Sequence, residues 1–175
     1  SPFLDQIDTF FATLLQQTTF KQVLFVPANH DIWIESSPPS SSWDKYNKEL
    51  PALCAQYGIH YLPGHPIIID GVGFAGSLGW YDYSFRNPSF DFFLGPEHYK
   101  RKSFQGETWM DHLFAIWGFE DSHLATLFNE GLDHDLCRLA ARKTGMEITL
   151  VMEITLVMVD PGGHDILGNL RKAYY

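Results

Sequence analysis

The chain has few of the residues that would point to a disulfide framework, a nucleic-acid surface or a membrane span. Its 2 cysteines, Cys54 and Cys137, have no partner at metal-ligand spacing, so we expect reduced, buried thiols in a cytoplasmic protein. Lys and Arg number 12 against 21 Asp and Glu, and the net charge of −9 disfavours non-specific nucleic-acid binding. No apolar run has the length of a membrane-spanning helix and no signal peptide opens the chain, so no membrane association is expected.

Hydrophobic residues are abundant by contrast, at 45% of the 175 residues, and aromatic residues make up 15%. This length and composition suit a single domain over residues 1–175 with a core of its own. Most of the aromatic side chains must pack. The segment 77–104 is irregular and rich in aromatic residues, which indicates a loop that packs over another part of the molecule.

Apolar periodicity alternates between helix and strand and predicts an α/β fold. Helices are predicted over 2–17, 43–57 and 107–117, and a longer one is capped by Asp121 and ends before Gly145. Strands are predicted over 22–26, 59–62, 66–70 and 72–76, the last two joined by a tight turn at Asp70-Gly71. Asp133, His134 and Asp135 are expected on a solvated face of the long helix.

The segment 146–159 contains the hexapeptide Met-Glu-Ile-Thr-Leu-Val twice in succession. Its alternating pattern is strand-like, and a repeat of six leaves each side chain on the same face of a strand. We interpret it as a local duplication rather than a repeat architecture. A loop over 160–165 and a final helix from Ile166 are predicted to follow.

A candidate site follows the apolar run Val23–Val26, which predicts a buried strand. Beyond Pro27 and Ala28 come Asn29, His30 and Asp31, and ligands of α/β proteins often bind at the carboxyl end of a strand. Asn and Asp supply oxygen ligands for cations, and His binds metals or moves a proton near neutral pH. The alternative is an ordinary turn in which Asn29 and Asp31 bind their own backbone.

This stretch resembles the third signature of the calcineurin-like metallophosphoesterase superfamily, Gly-Asn-His-Asp or Gly-Asn-His-Glu, with Ala28 in place of the glycine. The stretch Gly73–Asp82 is similar to a Gly-Ser-Trp-Tyr segment of one prokaryotic branch of that family. The resemblance implies a metallophosphoesterase-like α/β sandwich of mixed sheets flanked by helices. It implies an enzyme that hydrolyses a phosphate ester of a small molecule or phosphoprotein with a metal-activated water.

The resemblance also implies roles for individual residues. Asn29 would be a metal ligand, His30 a proton donor or transition-state stabiliser at the leaving group, and Asp31 the residue that orients His30. His164 would be a substitute metal ligand, or else part of a glycine-rich loop without a role in the site. Asp82 would contact substrate, or else bind within its own loop. Two metal ions, Mn, Fe, Zn or Ni, are implied.

Two family signatures, Asp-x-His and Gly-Asp-x-x-Asp, do not occur ahead of the first helix, and the later ligand histidines are missing. The chain is therefore expected to form an incomplete sandwich, to be completed by further polypeptide or by a second copy at an exposed sheet edge. A non-catalytic binding domain that keeps the fold is the alternative. A further alternative is a serine hydrolase with Ser77 as nucleophile, because Ala75–Gly79 is a near match to the Gly-x-Ser-x-Gly motif.

Overall fold

Strand β1 (Gln22–Phe25) is the centre of the fold because apolar side chains cover both of its faces. The computed structural model describes residues 3–17, 20–34, 41–142, 147–152 and 156–159. Val23 and Phe25 pack against helices, whereas Leu24 and Val26 point to the opposite side and pack against a second sheet. This alternation follows from the two-residue period of a strand. The predicted α/β class is confirmed in this general form.

The described elements follow one another in a mixed order of helices and strands. After β1 come a 3₁₀ turn, two helical segments joined by a π turn, a hairpin, a series of short elements, one long helix and two strands. Their bounds are α1 Leu4–Gln17, the 3₁₀ turn Asn29–Ile32, α2 Ser42–Asp44, the π turn Lys45–Glu49, α3 Leu50–Gln56, β2 His60–Tyr61, β3 Ile67–Ile69, β4 Val72–Ser77, a second 3₁₀ turn Pro88–Phe90, α4 Pro96–Arg101, β5 Ser103–Phe104, β6 Glu107–Thr108, α5 Asp111–Phe114, α6 Asp121–Ala140, β7 Glu147–Met152 and β8 Leu156–Val159.

The strands form two three-stranded sheets and one small hairpin. In the first sheet β1 lies between β2, to which it is parallel, and β8, to which it is antiparallel. In the second sheet β4 lies between its antiparallel neighbour β3 and the parallel strand β7. The predicted turn joins β3 to β4, with Asp70 and Gly71 at φ values of 51° and 91°. These left-handed values are those that a two-residue hairpin turn requires.

The duplicated segment is divided between the two sheets. Strand β7 pairs with the whole of β4, and β8 pairs with the whole of β1. The predicted strand-like character is confirmed for the described residues 147–152 and 156–159, which form two strands in different sheets. The strands available as partners are only six and four residues long, so a fourteen-residue strand would leave much of its backbone unpaired. Strand β8 pairs with one side of β1 and β2 with the other, so β1 is the central strand and the edges of this sheet are β2 and β8.

The two large sheets pack face to face through Leu24, Val26, Leu62 and Phe74. Gly76 of β4 lies at the closest approach, where an added Cβ would stand 2.5 Å from a methyl carbon of Val26. The helices α1 and α3 cover the other face of the first sheet. The first sheet therefore lies between these helices and the second sheet.

Helix α1 begins and ends close to its predicted bounds, and the segment predicted as a helix over 43–57 is helical over its described length. Its interior proline, Pro51, follows a π turn in which the N–H of Leu50 bonds to the carbonyl of Lys45. A proline ring clashes with the carbonyl four residues before it, and the wider π turn relieves that clash. Gly58, at φ 65°, ends the segment as predicted.

The predicted helix over 107–117 is wrong. Residues 107–108 pair instead with 103–104 in a hairpin, and Gln105 and Gly106 form its turn at φ values of 51° and 89°. Helical structure begins only at Asp111 and lasts for four residues. The turn chemistry of Gln105-Gly106 outweighs the weak helical pattern that follows it.

Three expectations about side-chain burial are also wrong. Asp135 is buried at 1% exposure, because it accepts hydrogen bonds from the Gly64 N–H and from Arg138. Cys137 is exposed, whereas Cys54 is buried as predicted. In the aromatic segment Tyr81 and Tyr83 are partly buried, but other rings of the segment are exposed: Phe85, Phe90, Phe92 and Phe93.

Asp121 is the first residue of α6 and not its cap, which is Glu120. Its carboxylate accepts hydrogen bonds from side chains in other parts of the chain.

The part of the chain that the structure describes contains no helix with the length and hydropathy of a membrane span.

Candidate functional site

The Asn29–Ile32 turn follows β1 after Val26, Pro27 and Ala28 and is fixed at the residue that precedes it. The Asp31 carboxylate accepts a hydrogen bond of 2.9 Å from the backbone N–H of Ala28, which closes the turn on itself. Asp31 is buried at 3% exposure, and the equally buried Lys45 lies near enough for their charges to interact. Burial lowers the pKa of Lys45, and the Asp31 carboxylate partly opposes that shift. The turn is thus braced from within by a carboxylate.

His30 lies on the outside of this turn and is exposed. Its ring packs on the indole of Trp33, with 4.0 Å between the ring centroids, and Trp33 stacks in turn on Phe114 at 5.2 Å. The nitrogen Nζ of Lys45 holds the backbone beyond the turn by donating to the carbonyl of Trp33 at 2.7 Å. The imidazole is therefore held against a fixed aromatic surface while one side of it stays open to solvent.

Asp111, at the start of α5, is the residue that connects this turn to the rest of the site. It is buried at 1% exposure and accepts hydrogen bonds from four side chains. The donors are the Asn29 amide at 3.1 and 3.2 Å, Trp109 Nε1 at 2.9 Å, Trp33 Nε1 and the Tyr81 hydroxyl. Burial raises the pKa of the Asp111 carboxyl, but these donors outweigh burial, so its pKa is below the usual value.

A second carboxylate, Asp121 at the start of α6, is held in the same way. It accepts hydrogen bonds from Trp80 Nε1 at 2.7 Å, from Lys102 Nζ at 2.6 Å and from the hydroxyl of Tyr83. The side chains of Lys102 and Asp121 are only 12% and 14% exposed, so this is a well-shielded ion pair. Asp111 and Asp121 together thus accept hydrogen bonds from the polar ends of five aromatic side chains, those of Trp33, Tyr81, Trp109, Trp80 and Tyr83.

Three of these aromatic side chains, Tyr81, Tyr83 and Trp109, line a cavity of about 830 Å³. Four rings contribute to its wall, those of Tyr81, Tyr83, Tyr99 and Trp109. The other lining residues are mostly polar: Leu94, His98, Lys102, Ser103, Gln105, Glu107 and Thr108. Since Tyr81 and Asn29 donate to the same carboxylate, the cavity lies next to the Asn29–His30 turn.

The remaining residues singled out from the sequence occupy different places. Asp82 is exposed, and its pKa is lowered by hydrogen bonds from the Ser84 hydroxyl and from the Ser84 N–H, the latter at 2.8 Å. Ser77 is buried at 4% exposure, and its hydroxyl donates to the carbonyl of Phe128. A nucleophilic serine needs an exposed hydroxyl beside a base, so the position of Ser77 does not favour the serine hydrolase. His164 lies outside the described residues.

Asp31 was expected to orient His30, and this role stays a prediction; its carboxylate accepts a hydrogen bond from the Ala28 N–H, as the alternative of an ordinary turn predicted. Asp111 was not identified from the sequence, because it lies within a segment predicted to be an ordinary helix. No local motif marks it. Its importance comes from contacts with residues up to 82 positions away.

The described residues do not by themselves fit a two-metal centre. No group of three His, Cys, Asp or Glu side chains among them is placed to hold a metal ion. The carboxylates of Asp111 and Asp121 already accept several hydrogen bonds each. Asn29 is the residue that fits a ligand role: its amide N–H₂ is turned to Asp111, which leaves its carbonyl oxygen available.

Comparisons with known proteins identify no relative. The chain matches no family model, and neither a curated protein nor a solved structure matches it. We therefore infer a function from the geometry of the site and from the two stretches that resemble metallophosphoesterases.

Proposed function

We propose that this chain is a metallophosphoesterase-like α/β sandwich that acts in the hydrolysis of a phosphate ester. The observation that carries the proposal is the Asn29-His30 pair in a braced turn at the carboxyl end of a strand buried on both faces. Such a turn holds an amide oxygen and an imidazole in fixed positions at the edge of a sheet, where ligands bind in α/β folds.

In this proposal each residue of the turn has a separate task. Asn29 offers its amide oxygen to a divalent metal ion, and Asp111 keeps that oxygen turned outward. His30 protonates the oxygen of the leaving group, since an imidazole transfers protons readily near neutral pH. Asp31 keeps the turn closed through the Ala28 N–H.

A divalent ion, Mn, Fe, Zn or Ni, would lower the pKa of a bound water and so supply the attacking hydroxide. The described residues contribute one ligand to it, so the proposal requires further ligands from outside them, with His164 as a candidate. Asp82 remains a candidate for contact with the substrate.

A second candidate function is a non-catalytic binding domain with the same fold. The saturation of Asp111 and Asp121 by side-chain donors favours it, because a carboxylate that already accepts three or four hydrogen bonds is a poor ligand for a metal. In that case the aromatic cavity would be the functional part of the molecule.

Metal content measured by elemental mass spectrometry, paired with Mn²⁺-dependent hydrolysis of p-nitrophenyl phosphate and bis-p-nitrophenyl phosphate, distinguishes the two. For hydrolysis we expect bound metal and turnover, lost in His30→Ala and kept in His123→Ala, which changes an exposed histidine of α6. A chain without metal and without turnover would contradict the proposal and favour the binding domain. Turnover retained in His30→Ala would exclude His30 from the site.

A further inference from the structure

We propose that the cavity lined by Tyr81, Tyr83, Tyr99 and Trp109 is a binding site for the base of a nucleoside or nucleotide. The cavity volume of about 830 Å³ is in the range of small-molecule sites and leaves room for a base together with its sugar. Four aromatic rings around one cavity supply stacking surfaces, and every nucleobase has a flat face that can use them.

The walls of this cavity are held in place before any ligand arrives. The Tyr81 hydroxyl and Trp109 Nε1 both donate to Asp111, and Trp109 Nε1 also lies 3.1 Å from the Tyr81 hydroxyl. The Tyr83 hydroxyl donates to Asp121, and the ring planes of Tyr81 and Tyr83 lie within 10° of each other. Rings anchored at their polar ends lose little conformational entropy when a ligand binds.

The charges in the cavity favour a neutral ring over a phosphate group as the part that is recognised. Among the described lining residues Lys102 is the one lysine or arginine, and its ammonium is paired with Asp121 at 2.6 Å. The same ammonium lies 5.8 Å from the centre of the Tyr81 ring. Its charge is thus already compensated, and Glu107 adds a negative charge to the lining. A phosphate would find little net attraction there.

The polar part of the lining suits the edge of a base. Ser103, Gln105 and Thr108 each provide hydrogen-bond donors and acceptors, and His98 provides an imidazole. A planar ligand with donors and acceptors on its edge would satisfy these groups while its faces stack on the rings. A purely hydrocarbon ring would satisfy the aromatic groups only.

The position of the cavity connects this inference to the proposed hydrolysis. Tyr81 of the cavity and Asn29 of the turn donate to the same Asp111 carboxylate, so a nucleoside bound in the cavity would lie next to the turn. This connection rests on the proposed function and would make the substrate a nucleotide ester. The existence of the base site itself does not depend on catalysis.

Binding is tested on the intact chain with adenosine and uridine, which have no phosphate, and with ribose 5-phosphate, which has no base. The readouts are isothermal titration calorimetry and quenching of tryptophan fluorescence, since Trp109 lies in the cavity wall. We expect saturable binding of at least one nucleoside and none of ribose 5-phosphate. No saturable signal with either nucleoside at millimolar concentration would overturn the proposal, and so would p-nitrophenol binding as tightly as the nucleosides.

Variants at Tyr99 locate the site, because no described hydrogen bond to Asp111 or Asp121 depends on this residue. Tyr99→Ala is expected to weaken nucleoside binding about tenfold through the loss of one stacking surface, and Tyr99→Phe to retain it. The matched control is Phe92→Ala, which removes an exposed ring outside the cavity lining. Equal affinity in Tyr99→Ala and Phe92→Ala would overturn the assignment.

The outcomes for the two proposals are separable. Nucleoside binding without hydrolysis supports the base site and contradicts the phosphoesterase. Hydrolysis of p-nitrophenyl phosphate without nucleoside binding supports the phosphoesterase and overturns the base site.

Discussion

The amide of Asn29 donates to both oxygens of Asp111, at 3.1 and 3.2 Å, across 82 residues of the chain. This contact joins the turn beyond β1 to the segment before α6. It also fixes which way the Asn29 amide faces, because an ionised carboxylate only accepts hydrogen bonds. The candidate site therefore depends on a long-range pair and not only on the local Asn-His-Asp motif.

Replacing Asp111 tests this pair. Asp111→Ala would leave the side-chain donors of Asn29, Trp33, Tyr81 and Trp109 without their acceptor, and we expect a loss of about 3 kcal/mol in the free energy of unfolding. Asp111→Asn keeps the volume and one acceptor oxygen, so it should lose less. Urea unfolding followed by circular dichroism measures both.

The control for these variants is Asp82→Ala, which removes an exposed carboxylate with a local turn contact. We expect this change to shift the free energy of unfolding by less than about 0.5 kcal/mol. If Asp111→Ala and Asp82→Ala were equally stable, the network around Asp111 would not support the fold.

The pH dependence of stability should report the same network. The pKa of Asp111 is lower in the folded protein than in the unfolded chain, because its four donors outweigh its burial. Its contribution to stability is therefore complete above the unfolded pKa and is lost as the pH falls through the folded pKa. Urea unfolding between neutral and strongly acidic pH should show stability falling below about pH 4. In Asp111→Asn the free energy of unfolding should fall less over this pH range, because the titrating carboxyl is gone. The same pH profile in the variant and the unaltered protein would contradict a lowered pKa of Asp111 as a cause of the fall.

Gly76 and Gly131 form a matched pair for testing the contact between the two sheets. A Cβ at Gly76 would stand 2.5 Å from Val26 and 2.9 Å from Leu62, whereas one at Gly131 meets nothing within 4 Å. Gly76→Ala should therefore destabilise the protein by about 1–3 kcal/mol through overpacking. Gly131→Ala, in the interior of α6, should stabilise it by about 0.5–1 kcal/mol through helix propensity. Thermal unfolding of both variants measures the difference, and destabilisation of equal size at both positions would contradict close packing at Gly76.

The elements that the sequence predicted well are those set by neighbouring residues. Strand β1 follows from a short apolar run, α1 from a helical apolar stripe, and the β3–β4 turn from Asp70-Gly71. In each case the signal and the structure lie within a few residues of each other. The same holds for the Asn29–Asp31 turn, which was located from its position beyond a buried strand.

The features that the sequence did not predict depend on distant partners. In the sequence Asp135 resembles a solvated helix residue. In the fold its carboxylate accepts a hydrogen bond from the N–H of Gly64, 71 positions away. From the sequence, Asp111 looks like an ordinary residue inside a predicted helix and Asp121 like an ordinary helix cap, yet each accepts hydrogen bonds from other segments. The division of the duplicated segment between two sheets depends on the lengths of β4 and β1 and not on its own pattern. Side-chain periodicity contains no information about such contacts.

The two cysteines offer a final test of how α3 and α6 are packed. Cys54 on α3 is buried and Cys137 on α6 is exposed, and burial raises the pKa of the Cys54 thiol to about 12. Because the thiolate is the reactive form, a chromogenic disulfide reagent should modify one thiol per native chain rapidly and the second only after unfolding in urea. Cys137→Ser should abolish the rapid phase, and Cys54→Ser should leave it unchanged. A rapid phase that persists in Cys137→Ser would mean that α3 opens to solvent in the native protein, contrary to the packing of Cys54 against the core around β1.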